Sequence, residues 1–496
     1  MSGAAPEHSQ AVRFVLDGEV ITAHDVGPTT TLLQYLRDTL GRCGTKEGCA
    51  EGDCGACTTV LGELRGDRIE YRAVNACIRF LPTIDGKEVI TAESLSASDR
   101  APHPVQQAML DCHASQCGFC TPGFVMSLFA QYLQHPRVSR EQAVEALSGN
   151  LCRCTGYRPI LDAAVRMGEY PEPATWSRAD AHSDARKARL QSLQRETSLE
   201  LSAHPGFFAP LTIEELASRY AEHPHSLLLA GGTDVGLWVT KQLKDLPPMI
   251  YLGEVAWLNT IVITDRSMTI AAGMSLAEAF AAIVAYYPML AELADRFASV
   301  PIRNSGTLCG NIANGSPIGD AMPILIALGA SVQLRCKDRV RSMPLEDLYL
   351  GYQKKALTSG EFVQSVSIPL PVADRLVASY KISKRYDQDI SAVCAGYAFD
   401  IKEGRIENAR IAYGGMAATP KRAARTEAAL IGKPWSRDSI AAAIAHLGKD
   451  YQPLADMRAG ADYRLQVAGN LLLRFHAEHC GQTATLRVHD AAAAAD

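Results

Sequence analysis

The chain has 496 residues, a formal net charge of -5, and 47% hydrophobic and 21% charged residues. It is too long for one ordinary domain, so we expect three or four, and the acidic balance excludes the basic surface that nucleic-acid binding requires. No run of about 18 uninterrupted apolar residues occurs, and the first ten residues show neither a basic nor an apolar signal region. A cytoplasmic protein without a membrane partner is therefore expected.

Eight of the 14 cysteines form two compact sets before residue 155. Such clustering in a reducing compartment favours metal binding over disulfides. The first set follows a helical pattern over residues 31–37 and has the plant-type [2Fe–2S] spacing; its members are Cys49, Cys54, Cys57 and Cys77. Its glycines, expected to permit positive φ and to let backbone N–H groups face the sulfurs, are Gly48, Gly52 and Gly55. Zinc is the alternative, although zinc ligands more often come as short C-x2-C pairs.

Strand-like patterns over residues 58–61 and 69–74 complete a small mixed domain, so residues 11–92 are predicted to form a plant-type ferredoxin (β-grasp) domain. The next segment, residues 93–170, is predicted to be helical, with helices over 104–116, 122–134, 139–149 and 159–169. The second cysteine set precedes two of these helix starts: Cys117, Cys120, Cys152 and Cys154. Helix N-termini are partly positive and suit thiolates of an anionic cluster.

A C-x2-C pair alone is also typical of a redox dithiol. Cys43 and Cys112 lie outside the spacing of both sets, and we expect them to be small buried residues.

Three stretches, GTKEGCAEGDCGACTTV, QCGFCTPGF and LCRCTGYRP, resemble the iron–sulfur portion of the molybdenum hydroxylases, the family that includes xanthine dehydrogenases and aldehyde oxidases. The resemblance covers residues 11–170 and assigns each cysteine set to one [2Fe–2S] cluster. It also implies that the second cluster lies beside a molybdopterin cofactor, with Gln116 facing the pterin.

Residues 171–203 are polar and are predicted to form a solvent-exposed linker with one helix near 185–194. After it, an apolar strand over 226–230 leads into a Gly231-Gly232 turn, a place where backbone N–H groups can approach a pyrophosphate. A second loop, residues 303–320, offers Thr307 to phosphate and Asp320 to ribose hydroxyls. Two unrelated surface turns remain the alternative.

The stretches LLLAGGTDVG and TLCGNIANGSPIGD resemble the FAD-cradling loops of the vanillyl-alcohol-oxidase-type (PCMH) domain in the same enzymes. The resemblance implies a multidomain α+β protein, with an FAD-binding domain over 204–375 and a C-terminal domain like the carbon monoxide dehydrogenase flavoprotein over 376–488. The FAD contacts it implies are Leu228, Leu229, Ala230, Gly231, Gly232, Thr233, Asp234, Val235, Phe297, Thr307, Asp320, Val363 and Lys381. Cys309 stands where relatives often have glycine. The charged loop 379–389 and Tyr352 are implied to affect nicotinamide access, with a solvated charge run as the alternative.

The family's molybdopterin-binding region does not appear in this sequence. The resemblance therefore implies the iron–sulfur/FAD subunit of a bacterial-type, two-subunit xanthine dehydrogenase, with no catalytic residue for hydroxylation in this chain. A large molybdenum subunit would convert hypoxanthine to xanthine and urate, electrons would reach NAD+ through two [2Fe–2S] clusters and FAD, and a heterotetramer of two small and two large chains is expected. The alternatives are another molybdenum hydroxylase, acting on an aldehyde or N-heterocycle, a stand-alone NADH-linked reductase, or a structural zinc protein.

Overall fold

The computed structural model describes residues 10–95, 101–203 and 205–481. The chain divides into two compact units. The first unit comprises Met1–Asn259, Ser275–Glu278 and Ala298–Thr307, and the second comprises Thr260–Met274, Ala279–Phe297 and Leu308–Asp496. Three predictions concern residues outside the described ranges. They are the expectation that residues 1–9 contain no signal region, the start of the FAD domain at 204, and the end of the last domain over 482–488.

The first unit opens with a mixed sheet whose strand order is β2-β1-β5-β3-β4. Its strands are β1 Val12–Leu16, β2 Glu19–Ala23, β3 Thr58–Arg65, β4 Arg68–Asn75 and β5 Glu88–Ile90. A helix over Leu32–Gln34, capped by the Thr31 hydroxyl, continues as a π-helical turn over Tyr35–Thr39. This combination confirms the predicted ferredoxin-like class, and both strands predicted beside the first cysteine set are present but longer.

A helical layer follows, as predicted, with helices at Pro104–Asp111, Thr121–Gln134, Arg140–Ala146 and Arg158–Arg166. All but Thr121–Gln134 end several residues earlier than predicted. Helix Thr121–Gln134 is buried over most of its length, because its side chains pack with residues of β3 and β4 on one side and other helices on the other. Pro122 and Pro159 lie in the first turns, where the missing N–H costs nothing.

The segment 171–203 was predicted to be a solvent-exposed linker with one helix near 185–194. The helix is present at Asp184–Leu193, but one side of the segment is buried. The segment forms helices Arg178–Ala181 and Asp184–Leu193 and strand β6, Leu199–Leu201. Its buried apolar side chains are Trp176, Ala181, Leu190, Leu193, Leu199 and Leu201. The Tyr71 hydroxyl of β4 donates to the Ala181 carbonyl at 2.6 Å, and Arg186 pairs with buried Glu88 at 2.7 Å. The few apolar residues are widely spaced along a polar segment, so its composition did not indicate that one side of it is buried.

His103 ties this segment to the helical layer. Its ring is 1% exposed; Nδ1 accepts from the Val105 N–H at 3.2 Å, and Nε2 lies 3.3 Å from the Trp176 carbonyl oxygen. The two partners assign the neutral tautomer with its proton on Nε2. Burial lowers the pKa of His103 from 6.5 to about 4.

We expect acid to destabilise the protein through His103. Between pH 6.5 and about 4 the unfolded chain binds a proton at this position that the folded chain does not bind. The free energy of unfolding should therefore fall by about 3 kcal/mol as the pH drops through this window. Chemical denaturation followed by tryptophan fluorescence measures the fall. The His103→Asn variant keeps a capping oxygen but has no ring to titrate, so equal pH dependence in both proteins would contradict the expectation.

The rest of the first unit contains a small sheet of order β6-β7-β9-β8. Its other strands are β7 Phe207–Ala209, β8 Leu227–Leu229 and β9 Met249–Tyr251, and its helices are Ile213–Glu222, Val235–Thr240 and Val300–Ser305. Strand β8 runs parallel to β9 and ends at the predicted glycine turn, directly before helix Val235–Thr240.

The second unit contains sheets of order β10-β11-β16-β12-β13 and β17-β18-β19-β20 and a hairpin β14-β15. Their strands are β10 Ile261–Ile263, β11 Ser267–Ala271, β12 Ser331–Cys336, β13 Arg339–Pro344, β14 Tyr349–Gly351, β15 Lys354–Lys355, β16 Phe362–Pro369, β17 Arg375–Ile382, β18 Val393–Lys402, β19 Arg405–Gly414 and β20 Lys421–Arg422. Beyond residue 260 the other helices are Leu276–Tyr286, Ala291–Asp295, Leu308–Asn314, Ala321–Leu328, Ala424–Leu430, Arg437–Ile444, Leu447–Asp450 and Ala461–His479. Among the described residues, none of the helices is long and apolar enough to span a membrane.

Candidate iron–sulfur and flavin sites

The loop before β3 gathers the first cysteine set. The backbone N–H groups of Glu51, Asp53 and Cys54 all donate to Cys49 Sγ, at 3.4, 3.4 and 3.3 Å, and the Cys49 N–H donates to Cys54 Sγ at 3.4 Å. Amide groups aimed at sulfur stabilise negative charge there. The loop thus offers the environment that a cluster of thiolate-bound iron needs.

The glycines of this loop act differently from one another. Gly52 and Gly55 have φ of +77° and +70°, as predicted. Gly48 does not have positive φ; a Cβ there would lie 2.7 Å from Cys54 Sγ, so it is close approach that requires glycine at this position. The further residue with positive φ is Ala50, at +55°.

Contacts between the thiols connect all four cysteines. Hydrogen bonds with Cys54 and Cys77 lower the pKa of Cys49, and a hydrogen bond with Cys77 lowers that of Cys57. Cys57 and Cys77 are 2% and 3% exposed, whereas Cys49 and Cys54 are partly exposed. The four side chains therefore lie together, with their more buried half at the ends of β3 and β4.

The second set forms two pairs, Cys120 with Cys152 and Cys117 with Cys154. Burial is the main cause that raises the pKa of Cys120 to about 12, and a hydrogen bond with the Cys152 thiol is the second. Cys120 directly precedes helix Thr121–Gln134, and Thr155 Oγ1 donates to Cys152 Sγ at 3.2 Å. Cys117 and Cys154 are exposed, as is the neighbouring Gln116.

Pairs suit the predicted cofactor. Among residues 10–95, 101–203 and 205–481, no three His, Cys, Asp or Glu side chains are grouped so as to hold a single metal ion. A [2Fe–2S] cluster takes four thiolates, two at each iron, which suits the four connected thiols of the first set and the two pairs of the second. The donor chemistry of both sets fits this cofactor.

Direct contacts join the two cysteine loops within the first unit. The Leu151 N–H, one residue before Cys152, donates to the Cys54 carbonyl at 3.0 Å. The buried Asn150 side chain donates to the Gly55 carbonyl at 3.1 Å and accepts from Ser127 Oγ at 2.6 Å. These hydrogen bonds fix one loop against the other.

The predicted flavin turn lies against the second predicted flavin loop. A Cβ on Gly231 would lie only 1.9 Å from the Ser305 carbonyl oxygen, and one on Gly306 would lie 3.1 Å from Thr233 Oγ1. Thr307, the predicted phosphate contact, forms an isolated β-bridge with Ser275. Gly231 and Gly232 are only partly buried, so their backbone fits the approach of a pyrophosphate.

The flavin turn also contacts the first cysteine loop. Ile78 directly follows Cys77. A Cβ added at Gly236 would lie 2.7 Å from the Ile78 carbonyl oxygen, and a Cβ added at Gly52 would lie 2.6 Å from Ile78 Cδ1. Lys241 Nζ, just after helix Val235–Thr240, donates to the Cys49 carbonyl at 3.0 Å. These contacts bring the flavin turn and the cluster loop together within one unit.

The remaining predicted flavin contacts belong to the second unit. Lys381 Nζ donates to Asp320 Oδ2 at 2.7 Å, and Ser391 Oγ donates to Asp320 Oδ1 at 2.5 Å, both buried. The Phe297 ring packs on Phe280 with centroids 5.1 Å apart, and Val363 is a buried residue of β16 opposite Leu334.

The other residues predicted to lie near the flavin in the second unit show ordinary burial, exposure and hydrogen bonding. Cys309 is buried and its Sγ donates to the Ile270 carbonyl at 3.6 Å, so its bulk is accommodated. Tyr352, predicted to affect nicotinamide access, is 62% exposed. In the charged loop the Arg385 N–H donates to Asp389 Oδ2 at 2.8 Å.

Sequence reasoning missed the residues that join the sites: Asn150, Ile78 and Lys241. Asn150 carried a signal, since it directly precedes the LCRC stretch. Ile78 and Lys241 carried none, because their contacts are far apart in the chain.

Four family models match the chain in order. They describe a 2Fe-2S iron-sulfur cluster binding domain over residues 14–81, a [2Fe-2S] binding domain over 91–165, an FAD binding domain in molybdopterin dehydrogenase over 200–371, and a CO dehydrogenase flavoprotein C-terminal domain over 378–479.

Several known proteins are similar over much of this chain. Xanthine dehydrogenase of Emericella nidulans is 30% identical over 95% of this chain and 39% of its own length. Aldehyde oxidase 2 of Cavia porcellus is 30% identical over 95% of this chain and 40% of its own length, so the chain spans about two fifths of these relatives. The structure of quinoline 2-oxidoreductase from Pseudomonas putida 86 aligns with a TM-score of 0.50 and 25% identity, over 56% of this chain and 97% of that one. The protein therefore belongs to the molybdenum hydroxylase family, with that family's two [2Fe–2S] domains, FAD-binding domain and flavoprotein C-terminal domain in one chain.

Proposed function

We propose that this chain is the iron–sulfur/FAD subunit of a xanthine dehydrogenase. It accepts electrons from a molybdenum subunit that oxidises hypoxanthine and xanthine, and it delivers them to NAD+. The observation that carries the proposal is that contacts within the first unit connect the two cysteine loops and the flavin turn. Leu151 contacts Cys54, and Lys241 contacts Cys49. Ile78 packs against Gly236. The similarity to xanthine dehydrogenase supports this substrate.

The residues proposed to hold the cofactors have separate tasks. The eight cysteines Cys49, Cys54, Cys57, Cys77, Cys117, Cys120, Cys152 and Cys154 hold two [2Fe–2S] clusters, while residues 228–235, Phe297, Thr307, Asp320, Val363 and Lys381 hold FAD. When bound, the clusters carry single electrons and FAD exchanges hydride, which joins one-electron to two-electron chemistry. The amide groups around Cys49 stabilise the thiolate charge, and the Asn150 hydrogen bonds keep the cysteine loops at a fixed separation.

The exposed side of the second cysteine set is the proposed docking point for the molybdenum subunit. Cys117, Cys154 and Gln116 are exposed there, and Phe119 and Leu151 expose 48% and 43% of their surface. Exposed apolar residues around a redox centre are typical of an interface that a partner covers.

Purification of the native complex tests the proposal. We expect a large molybdenum-containing chain to co-purify in equal amount, together with FAD, iron and xanthine-dependent reduction of NAD+. A panel of xanthine, aldehydes and N-heterocycles compares substrates. Faster turnover of an aldehyde or N-heterocycle would favour the alternative that aldehyde oxidase 2 and quinoline 2-oxidoreductase suggest. A chain that oxidises NADH alone, without any molybdenum partner, would contradict the proposal.

A further inference from the structure

Asn75 is a buried amide that the protein itself leaves unsatisfied. It is the last residue of β4, lies opposite Thr58 and precedes Cys77 by two residues. Its side chain is 2% exposed, and neither Oδ1 nor Nδ2 has a hydrogen-bond partner among the described residues. A buried polar group without a partner destabilises the folded state, so such a group in a native fold calls for a ligand.

The surroundings of Asn75 show where that ligand lies. The Ala76 N–H donates to the Cys57 carbonyl at 3.3 Å, which holds the end of β4 beside Cys57. Thr58, which lies opposite Asn75 in the ladder, directly follows Cys57, and Cys77 follows Asn75 by two residues. The buried Asn75 amide therefore lies beside the more buried half of the first cysteine set.

We propose that Asn75 Nδ2 donates a hydrogen bond to the Cys57 sulfur of the bound cluster and raises the reduction potential of that cluster. The inference rests on the proposed function, because it requires Cys57 to be an iron ligand. Reduction adds one negative charge to the cluster, so a donor at its sulfur stabilises the reduced state more than the oxidised state. This donor comes from a side chain, in contrast to the backbone donors around Cys49.

The Asn75→Leu variant tests the hydrogen bond, because leucine has similar volume and no donor. Thr59→Val is the matched control: Thr59 is 0% exposed, its hydroxyl is also unpartnered, and it lies two residues from Cys57. Redox titration of the full chain in its native complex, followed by electron paramagnetic resonance, measures both clusters. At the wild-type midpoint we expect the ratio of reduced to oxidised plant-type cluster to be about tenfold lower in Asn75→Leu, a shift of about 59 mV to lower potential. The second cluster and the Thr59→Val protein should keep their midpoints.

An unchanged midpoint in Asn75→Leu, or an equal shift in Thr59→Val, would overturn the inference while leaving the clusters established. If Asn75→Leu does not fold, wild-type protein labelled with [15N]asparagine gives the answer. Pulsed electron paramagnetic resonance of the reduced plant-type cluster should then show coupling to one side-chain 15N nucleus, and its absence would refute the hydrogen bond. Wild-type protein without any [2Fe–2S] signal would instead overturn the proposed function, and this inference with it.

Discussion

Replacing Cys120 with serine should remove about half of the chain's iron, roughly two atoms of four, and stop substrate-dependent reduction of NAD+ while FAD stays bound. Cys120 directly precedes helix Thr121–Gln134 and contacts Cys152, so its loss leaves one cysteine pair incomplete. A serine hydroxyl does not replace a thiolate here, because iron–sulfur clusters select soft thiolate ligands. The flavin turn at Gly231 is built by other residues and should be unaffected.

Iron analysis, flavin absorbance and electron paramagnetic resonance of the purified variant check this outcome. Cys112→Ser is the matched control, because Cys112 lies in the same helical layer and its Sγ accepts a hydrogen bond from Arg166 Nη1 at 3.6 Å. It should retain full iron content and activity. Full iron and normal turnover in Cys120→Ser would show that the second cysteine set is not a cluster site.

Replacing Gly231 with alanine should weaken the binding of FAD while both iron centres remain. The added Cβ would lie 1.9 Å from the Ser305 carbonyl oxygen and 2.6 Å from Gly306 Cα, both of them backbone atoms that cannot move aside cheaply. Overpacking of this kind costs about 1–3 kcal/mol, so we expect the dissociation constant for FAD to rise about tenfold or more.

The ratio of flavin to iron in the purified protein measures this change. Gly448→Ala is the control, since a Cβ there meets nothing within 4 Å. It should keep the wild-type ratio. A Gly231→Ala protein that binds FAD as tightly as wild type would mean that this turn does not hold the cofactor.

Local patterns predicted the features of this protein that depend on neighbouring residues. Cysteine spacing, helix starts at Pro122 and Pro159, and the strand before Gly231 were all readable because each is decided within a few residues. The expectation of positive φ at Gly48 was wrong, since its constraint comes from Cys54 Sγ, six residues on.

Features decided by distant residues were not readable. The segment 171–203 looked exposed because the surfaces that bury Trp176 and Leu190 come from earlier parts of the chain. The buried ion pair of Asp320 and Lys381 joins positions 61 apart, so each residue was predicted only as a cofactor contact. The resemblance to a family supplied the cofactor identities, which no local pattern decides by itself.

Ile78 has a consequence for how this protein can change. Its Cδ1 and its carbonyl oxygen occupy the space that a Cβ would need at Gly52 and Gly236, respectively. Well-packed interiors transmit strain with little compression. Cδ1 is the contact at Gly52, whereas the carbonyl oxygen and Cβ are the contacts at Gly236, so a shorter side chain at this position loosens the cysteine loop while the contact at the flavin turn stays.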